Sequence, residues 1–183
     1  MKTLPTILAA LLFILSSCHK EDEFTATSPL PAATQIGAYT LACKVNGASY
    51  ICKKSEIAAY YQWVNGGNAF AVRGIKGSNF LMQTIDLFSM GNAPIEEGKT
   101  YILNGDNPGY GGAGDVSDPD NSDNYTWVEE AKTNATYAGQ LTITKFDLKN
   151  QIVSGTFWYD IKNPWTGEKI EVRDGRFDTH FAM

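Results

Sequence analysis

The sequence predicts an all-β domain, namely an antiparallel β-sandwich or a barrel-like fold of about ten strands with little helix. Short segments rich in β-branched and aromatic residues recur along the chain and are separated by turn signals. Two segments, Gln140–Phe146 and Ile152–Ile161, alternate apolar and polar residues with a period of two. A chain of 183 residues is long enough for one such domain with a sizeable core.

A hairpin opens the expected series of strands. Tyr39–Val45 and Ser49–Lys53 flank Asn46-Gly47, which is typical of a two-residue hairpin turn. Ser55–Ala59 is compatible with one helical turn. Further strands are expected in apolar segments bounded by glycine and asparagine, at Tyr60–Val64, Phe70–Ile75, Phe80–Phe88 and Thr100–Leu103.

The second half of the chain contains a long irregular stretch and a second hairpin signal. Asn104–Asn124 lacks apolar periodicity, so we expect a loop, and loops of that length are usually functional or mobile. We expect Tyr125–Val128 to resume a short strand. Asp174-Gly175 predicts another two-residue turn, which would pair Val172 with Phe177.

The N-terminal leader has the features of a signal peptide. Lys2 supplies a positive charge, and Ile7–Leu15 is an apolar run that, at about nine residues, is too short to span a bilayer core, which needs roughly 20. Leu15-Ser16-Ser17-Cys18 resembles the bacterial lipobox, in which the leader is removed before the cysteine. The resemblance implies a lipoprotein signal peptide at residues 1–17 and a Cys18 that carries diacylglycerol and palmitate. The alternative is an ordinary secretory signal with an incidental cysteine.

The segment after Cys18 suggests where the protein is located. His19-Lys20-Glu21-Asp22-Glu23 resembles the surface-export signal of Bacteroidota lipoproteins, although a solvated charged spacer is the alternative. We interpret residues 18–37 as the lipidated cysteine with a flexible tether, and residues 38–183 as a single β-rich domain. The prediction is a lipid anchor in the outer membrane with the domain at the cell surface, or otherwise on the periplasmic face.

The charge of the chain restricts its partners. The formal net charge is −5, and loss of Lys2 with the leader would make the mature value −6. An acidic chain without a basic cluster argues against nucleic acid as a partner. Contact with the membrane is therefore expected through the lipid anchor.

The cysteine count leaves one pair inside the domain. If Cys18 carries lipid, Cys43 and Cys52 remain, in a compartment where disulfides persist. A four-residue loop at residues 46–49 would place them opposite each other, within bonding distance, whereas a two-residue loop would place them diagonally. We expect a disulfide; the alternative is two buried thiols.

Several short motifs resemble a known family. Cys43–Gly47, Gly139–Thr144, Ser154–Phe157 and Asp174–Asp178 recur in this order in small uncharacterised lipoproteins of Bacteroidota, a domain of unknown function. The resemblance implies the same fold and the same location. It implies no catalytic residue, because that family has no assigned activity.

Candidate sites for chemistry are few. His180 is the sole histidine of residues 38–183, which gives no support to a Ser-His-Asp or Cys-His site. No cofactor is predicted, except that the acidic loop is a candidate calcium site. Five oxygen-bearing residues there match positions 1, 3, 5, 7 and 12 of an EF-hand register: Asp118, Asp120, Ser122, Asn124 and Glu129. Position 6 is Asp123 instead of glycine, and a solvated acidic loop is the alternative.

Carboxylates and aromatic rings supply two further hypotheses. Glu171 and Asp178 would face each other across the expected turn near Asp160, as in a glycosidase pair; a surface ion network with the nearby arginines is the plainer alternative. Exposed rings in turns are candidates for stacking on a sugar or a partner protein, and core packing is the alternative. The rings are Trp63, Tyr110, Trp127 and Trp165.

The favoured functional prediction is a non-catalytic binding or accessory module on the membrane. It would recognise a glycan, a peptide or an envelope protein through loops at one end of the fold. A structural or assembly lipoprotein without a small ligand is one alternative. A hydrolase with an unrecognised site is the other.

Overall fold

The computed structural model describes residues 29–77, 80–91, 93–120 and 128–183. These residues form eleven β-strands and one short 3-10 helix, Lys54–Glu56, and they contain no α-helix. The all-β prediction with little helix is therefore confirmed. The strands are β1 Thr40–Val45, β2 Ala48–Ile51, β3 Ile57–Val64, β4 Gly67–Ile75, β5 Thr84–Met90, β6 Thr100–Leu103, β7 Gly109–Ser117, β8 Val128–Lys132, β9 Gly139–Asp147, β10 Ile152–Lys162 and β11 Lys169–His180.

The strands form one strongly curled sheet with the shape of a half-barrel. The strand order is β2-β1-β11-β10-β9-β6-β7-β5-β4-β3, and β8 pairs with β7 beside this path. Neighbours are antiparallel except β6 and β7, which are parallel. The curl brings edge strand β3 to the C-terminal segment, where the Tyr61 amide donates to the Ala182 carbonyl at 2.8 Å and the Ala182 amide donates to the Ala59 carbonyl at 3.0 Å. The domain is thus barrel-like, because one sheet encloses the core.

Alternating side chains of the curled sheet fill its concave side. Leu141, Ile143 and Tyr159 are fully buried there. The two large buried tyrosines satisfy their hydroxyl groups, as buried polar groups require. Tyr159 donates to the Ala113 carbonyl at 2.8 Å, and Tyr50 donates to the Gly74 carbonyl at 3.1 Å. These bonds join opposite walls of the half-barrel across the core.

The predicted loop at residues 104–124 is wrong for Gly109–Ser117, which form β7 in the middle of the sheet; residues 121–124 lie outside the described residues. A side chain at Gly112 would begin 2.8 Å from the Tyr159 ring, and one at Gly114 would begin 2.1 Å from the Met82 side chain and 2.5 Å from the Thr84 carbonyl. Tyr159 of β10 and Met82, which bridges to Val116, supply the bulk that β7 lacks. A strand that contributes glycines to the core shows no apolar periodicity, and the sequence pattern therefore indicated a loop.

The predicted hairpin at Asp174-Gly175 is also wrong. β11 continues through both residues, and Val172 pairs with Tyr159 and Val45 instead of with Phe177. Asp174 has a φ of 54°, and the registers with β1 and β10 both shift beside it, as at a β-bulge. An aspartate at positive φ followed by glycine suits a bulge as well as a turn. Here the bulge forms, because β1 and β10 pair with β11 on both sides of Asp174-Gly175.

The expected disulfide between Cys43 and Cys52 is contradicted. Val45 pairs with Ala48, so the Asn46-Gly47 turn has two residues, and Cys43 lies opposite Tyr50. Both cysteines are free and buried, so the alternative of two buried thiols is the one observed. Burial raises the pKa of Cys52 to about 12 and that of Cys43 well above its usual value, which keeps both groups as thiols.

Among the residues that the structure describes, no helix is long and apolar enough to cross a bilayer.

Alanine at Gly114 should destabilise the domain by about 1–3 kcal/mol, since the added methyl group would overlap Met82 and the Thr84 carbonyl in a packed core. The free energy of unfolding of Gly114→Ala, measured by urea titration, checks this. Gly77→Ala is the matched control, because a methyl group there meets no atom of the described residues within 4 Å. Equal stability of the two variants would contradict the tight packing described for β7.

Candidate functional site

The predicted aromatic residues do not all face solvent. Trp63 is 71% exposed at the end of β3. Tyr110 is half-buried, packs against Tyr101 with ring centroids 4.1 Å apart and ring planes tilted by 39°, and donates its hydroxyl to the Pro94 carbonyl. Trp165 packs against the core and donates its indole N–H to the Val116 carbonyl at 3.0 Å. Trp127 lies outside the described residues. Core packing therefore accounts for Tyr110 and Trp165, and Trp63 is the ring that remains available for binding.

The proposed calcium ligands are described only in part. The Asp120 amide donates to the Asp118 carboxylate at 3.0 Å, and Glu129 is exposed on β8 opposite Val116. Ser122 and Asn124 lie outside the described residues. Over residues 29–77, 80–91, 93–120 and 128–183, no group of three or more His, Cys, Asp or Glu side chains is arranged to hold a metal ion. Calcium binding stays a prediction.

The carboxylates considered for acid–base chemistry occupy two separate environments. Glu171 and Asp160 take part in an ion network on the outer face, where the Arg173 guanidinium lies 3.1 Å from Glu171 and 2.6 Å from Asp160. Because β11 is continuous, Asp178 lies several residues further along the same strand and is buried. The structure therefore does not bring Glu171 and Asp178 together, and the surface ion network is the arrangement that it contains.

Asp178 fastens the chain segment that precedes β1 to the sheet. We call residues 29–38 the N-terminal strap; it crosses the outer face of β11. The Arg176 guanidinium also donates to the Pro31 carbonyl at 3.0 Å. The carboxylate of Asp178 accepts five hydrogen bonds, from Thr34 Oγ1 at 2.6 Å, Ile36 N at 3.0 Å, Gly37 N at 2.8 Å, Ala38 N at 3.1 Å and Ser154 Oγ at 2.7 Å.

These hydrogen bonds determine the ionisation of Asp178. Burial alone would raise the pKa of the carboxyl group, but the donors from Thr34, Ser154 and the strap amides outweigh burial and lower the pKa to about 2. The carboxylate is therefore charged at neutral pH. Its ionised form holds the strap in place.

A groove lies on the outer face of β9, β10 and β11, beside the strap. Its volume is about 400 Å³, and its lining combines one indole ring with hydroxyl, amide and charged groups. Trp158 is 39% exposed in this groove, whereas its neighbours Phe157 and Tyr159 face the core. The principal polar side chains of the lining are Gln140, Thr142, Thr156, Arg173, Asp174 and Arg176.

The strand register brings these residues side by side. Trp158 pairs with Gln140, and Thr156 pairs with both Thr142 and Arg176. The indole N–H of Trp158 donates to the Gln140 side chain at 3.4 Å. The Arg173 guanidinium lies 5.4 Å from the ring centroid, within the range of a cation–π interaction. The ring is thus held from two sides.

The charges in the groove are largely balanced by their neighbours. Arg173 is bound by Asp160 and Glu171, and the Lys44 ammonium lies 2.8 Å from the Asp174 carboxylate. The hydrogen bond and charge of Lys44 lower the pKa of Asp174, which stays ionised. Arg176 donates to the backbone carbonyl of Asp174. The exposed ring and the neutral polar groups are therefore the parts of the groove free to meet a ligand.

A second groove, of about 290 Å³, lies on the outer face of β3, β4 and β5. Arg73 binds the nearly buried carboxylate of Asp86 through two nitrogens. Burial raises the pKa of Asp86, and the pairing with Arg73 opposes that shift only in part. The principal charged groups of this groove thus bind each other.

The alternation of Ile152–Ile161 is visible in the sequence, but the groove is not. The usable signal was the set of polar residues at outward positions of two adjacent strands, Gln140, Thr142 and Thr156. The contribution of β11 could not be found in the same way, because the supposed hairpin at Asp174 misplaced Arg176.

Replacement of Asp178 by asparagine should lower the free energy of unfolding at pH 7 by about 2 kcal/mol, because it removes the charge that five donors share. Asp174→Asn is the matched control on the same strand, since Asp174 is exposed and asparagine also tolerates its positive φ. Urea titration of both variants measures the difference. Equal losses would contradict the role given to the strap contacts.

Acid should weaken the wild-type domain through the same group. The pKa of Asp178 is depressed from 3.8 to about 2 in the folded state, so its contribution is fully present above pH 3.8 and is lost as the pH falls towards 2. In a plot of the free energy of unfolding against pH, Asp178→Asn should show a smaller fall between pH 3.8 and 2 than wild type does. Asp174→Asn should keep most of that fall.

Comparisons with protein-family models, with curated proteins and with solved structures return no match for this chain. Its function is therefore inferred from the residues of the outer groove and from the features of the leader.

Proposed function

We propose that this protein is a lipid-anchored lipoprotein of the bacterial outer membrane whose β domain is a non-catalytic binding module. Its ligand would bind in the groove beside Trp158. The observation that carries the proposal is the half-exposed indole, which lies among hydroxyl and amide side chains in a groove of about 400 Å³. Aromatic rings that are rigidly held and partly exposed are frequent anchors of recognition.

The leader supports the anchoring part of the proposal. Ile7–Leu15 followed by Ser16-Ser17-Cys18 has the order of a lipoprotein signal, and Lys20-Glu21-Asp22 follows after one residue, His19. Acyl chains on Cys18 would anchor the protein durably, because each buried CH2 contributes about 0.8 kcal/mol. The strap is fixed to β11 from Pro31 onward. Ten residues lie between Cys18 and Pro29, and a chain of about that length reaches at most roughly 40 Å.

The ion pairs on the outer face favour binding over catalysis. The carboxylates nearest the groove, Asp160, Glu171 and Asp174, are each paired with a lysine or an arginine. The hydrogen bond from Lys169 lowers the pKa of Glu171, and that from Lys44 lowers the pKa of Asp174, so these two groups are poor proton donors at neutral pH. Among the large exposed apolar residues, Tyr60, Trp63 and Val64 lie on edge strand β3, whereas Trp158 lies on β10 within the groove.

Replacement of Cys18 by alanine should abolish lipid attachment. Cells that express the full chain would be fed a palmitate analogue, and the protein would be isolated and assayed for label. Ser17→Ala is the matched control, since it keeps a small residue before the cysteine and should stay labelled. Label on the Cys18→Ala variant would overturn the anchoring proposal. Protease added to intact cells would then report whether the domain faces the medium.

Replacement of Trp158 by alanine should reduce retention of cell-envelope components by the protein. The chain would be purified in detergent, immobilised and exposed to an extract of envelope proteins and glycans. Trp63→Ala is the matched control, because Trp63 is more exposed than Trp158 and lies on β3 instead of in the groove. Retention by wild type that Trp158→Ala does not reduce would overturn the groove as the binding site.

A further inference from the structure

We infer that the groove beside Trp158 is a subsite for a neutral glycan built of pyranose rings. This inference rests on the proposed function, since it names the class of ligand for the same groove. Three features carry it: the exposed indole, the row of hydroxyl and amide groups next to the ring, and the mutual compensation of the charges around them.

The ring provides an apolar platform of fixed orientation. Trp158 stands on the central strand of the groove, β10, and its exposed fraction is 39%. The contacts with Gln140 and Arg173 limit its rotation. A pyranose ring presents C–H groups on one face, and that face can pack on an indole surface with little loss of conformational entropy on the protein side.

The residues beside the ring can bind sugar hydroxyl groups. Thr142 on β9 pairs with Thr100 on β6 and with Thr156 on β10. Thr156 in turn pairs with Arg176 on β11, so one row of polar side chains crosses four strands. The Thr100 and Thr142 hydroxyls are 2.8 Å apart. A hydroxyl group both donates and accepts, and the amide of Gln140 does the same through its two ends. A chain of sugar hydroxyls running across the strands would meet this row in succession.

The charges around the groove do not favour an ionised ligand. Arg173 and Lys169 are bound by Asp160 and Glu171. Lys44 forms an ion pair with the Asp174 carboxylate. The backbone carbonyl of Asp174 accepts a hydrogen bond from the Arg176 guanidinium. Asp178, two residues beyond Arg176 on β11, contributes a further negative charge beneath the strap. The four cations Lys44, Lys169, Arg173 and Arg176 thus stand beside four carboxylates, and these described groups carry no net positive charge that would select an acidic sugar.

The size and shape of the groove fit a short segment of a glycan chain. Its volume of about 400 Å³ lies near the lower end of ligand sites, roughly 300–1,000 Å³. The strap meets Arg176 at one side, through the Pro31 carbonyl. A glycan would therefore lie on the open face of β9 and β10 with the strap as a neighbouring wall.

Binding to soluble polysaccharides tests the inference. The full chain, purified in detergent, would be run on native gels that contain a neutral glucan, galactan, mannan or xylan, with a polyuronate as the acidic probe. We expect retardation by at least one neutral polysaccharide, and a dissociation constant roughly tenfold higher for Trp158→Ala. Thr156→Val should weaken binding as well, because it keeps the shape of the side chain and removes the hydroxyl.

Trp63→Ala is the control and should bind as wild type does, since Trp63 lies on β3 and outside the groove. Circular dichroism and the midpoint of thermal unfolding would establish that each variant is folded. Absence of retardation by every neutral polysaccharide, retardation by the polyuronate alone, or equal binding by Trp158→Ala would overturn the inference. If an envelope protein were retained through Trp158 while no glycan bound, the inference would fail and the proposed function would stand.

Discussion

The buried carboxylate of Asp178 is the contact on which the arrangement of the outer face depends. It accepts five hydrogen bonds, four of them from the strap, Thr34 to Ala38, and one from Ser154 on β10. One side chain thus joins the segment before β1 to two central strands. Charge-assisted hydrogen bonds are stronger than neutral ones, and the loss of one partner leaves several buried groups unsatisfied. The strap is therefore part of the domain instead of a free continuation of the tether.

The curl of the sheet depends on a complementary feature inside the half-barrel. The glycines of β7 leave room for side chains of the opposite wall, above all Tyr159, which reaches across and donates to Ala113. Close packing of this kind is sensitive to a single added methyl group. Because Tyr159 fills the inside of β10, its neighbour Trp158 is placed on the outside. The core packing and the candidate binding groove thus lie on opposite faces of β10.

The outer groove connects the strap contacts and the core packing to the proposed function. β10 presents Trp158 and Thr156, and β9 presents Gln140 and Thr142. β11 contributes Asp174 and Arg173, which form ion pairs with residues of β1 and β10. A flat array with one ring and several hydroxyl groups favours shallow contact with an extended ligand over catalysis in a deep cleft. The proposed lipid anchor at Cys18 precedes the strap by ten residues in the sequence and would keep such a groove at the envelope.

The sequence by itself determined the all-β class, the Asn46-Gly47 turn and the alternation of β9 and β10, because each depends on neighbours along the chain. It could not assign Gly109–Ser117 to a strand, since the side chains that fill the space beside those glycines belong to other strands. Nor could it separate a turn from a bulge at Asp174-Gly175, because strands β1 and β10 impose the continuous pairing. The groove was decided by tertiary structure alone. Trp158, Gln140 and Arg176 become neighbours only through the register of three strands, and register is a property of the assembled sheet.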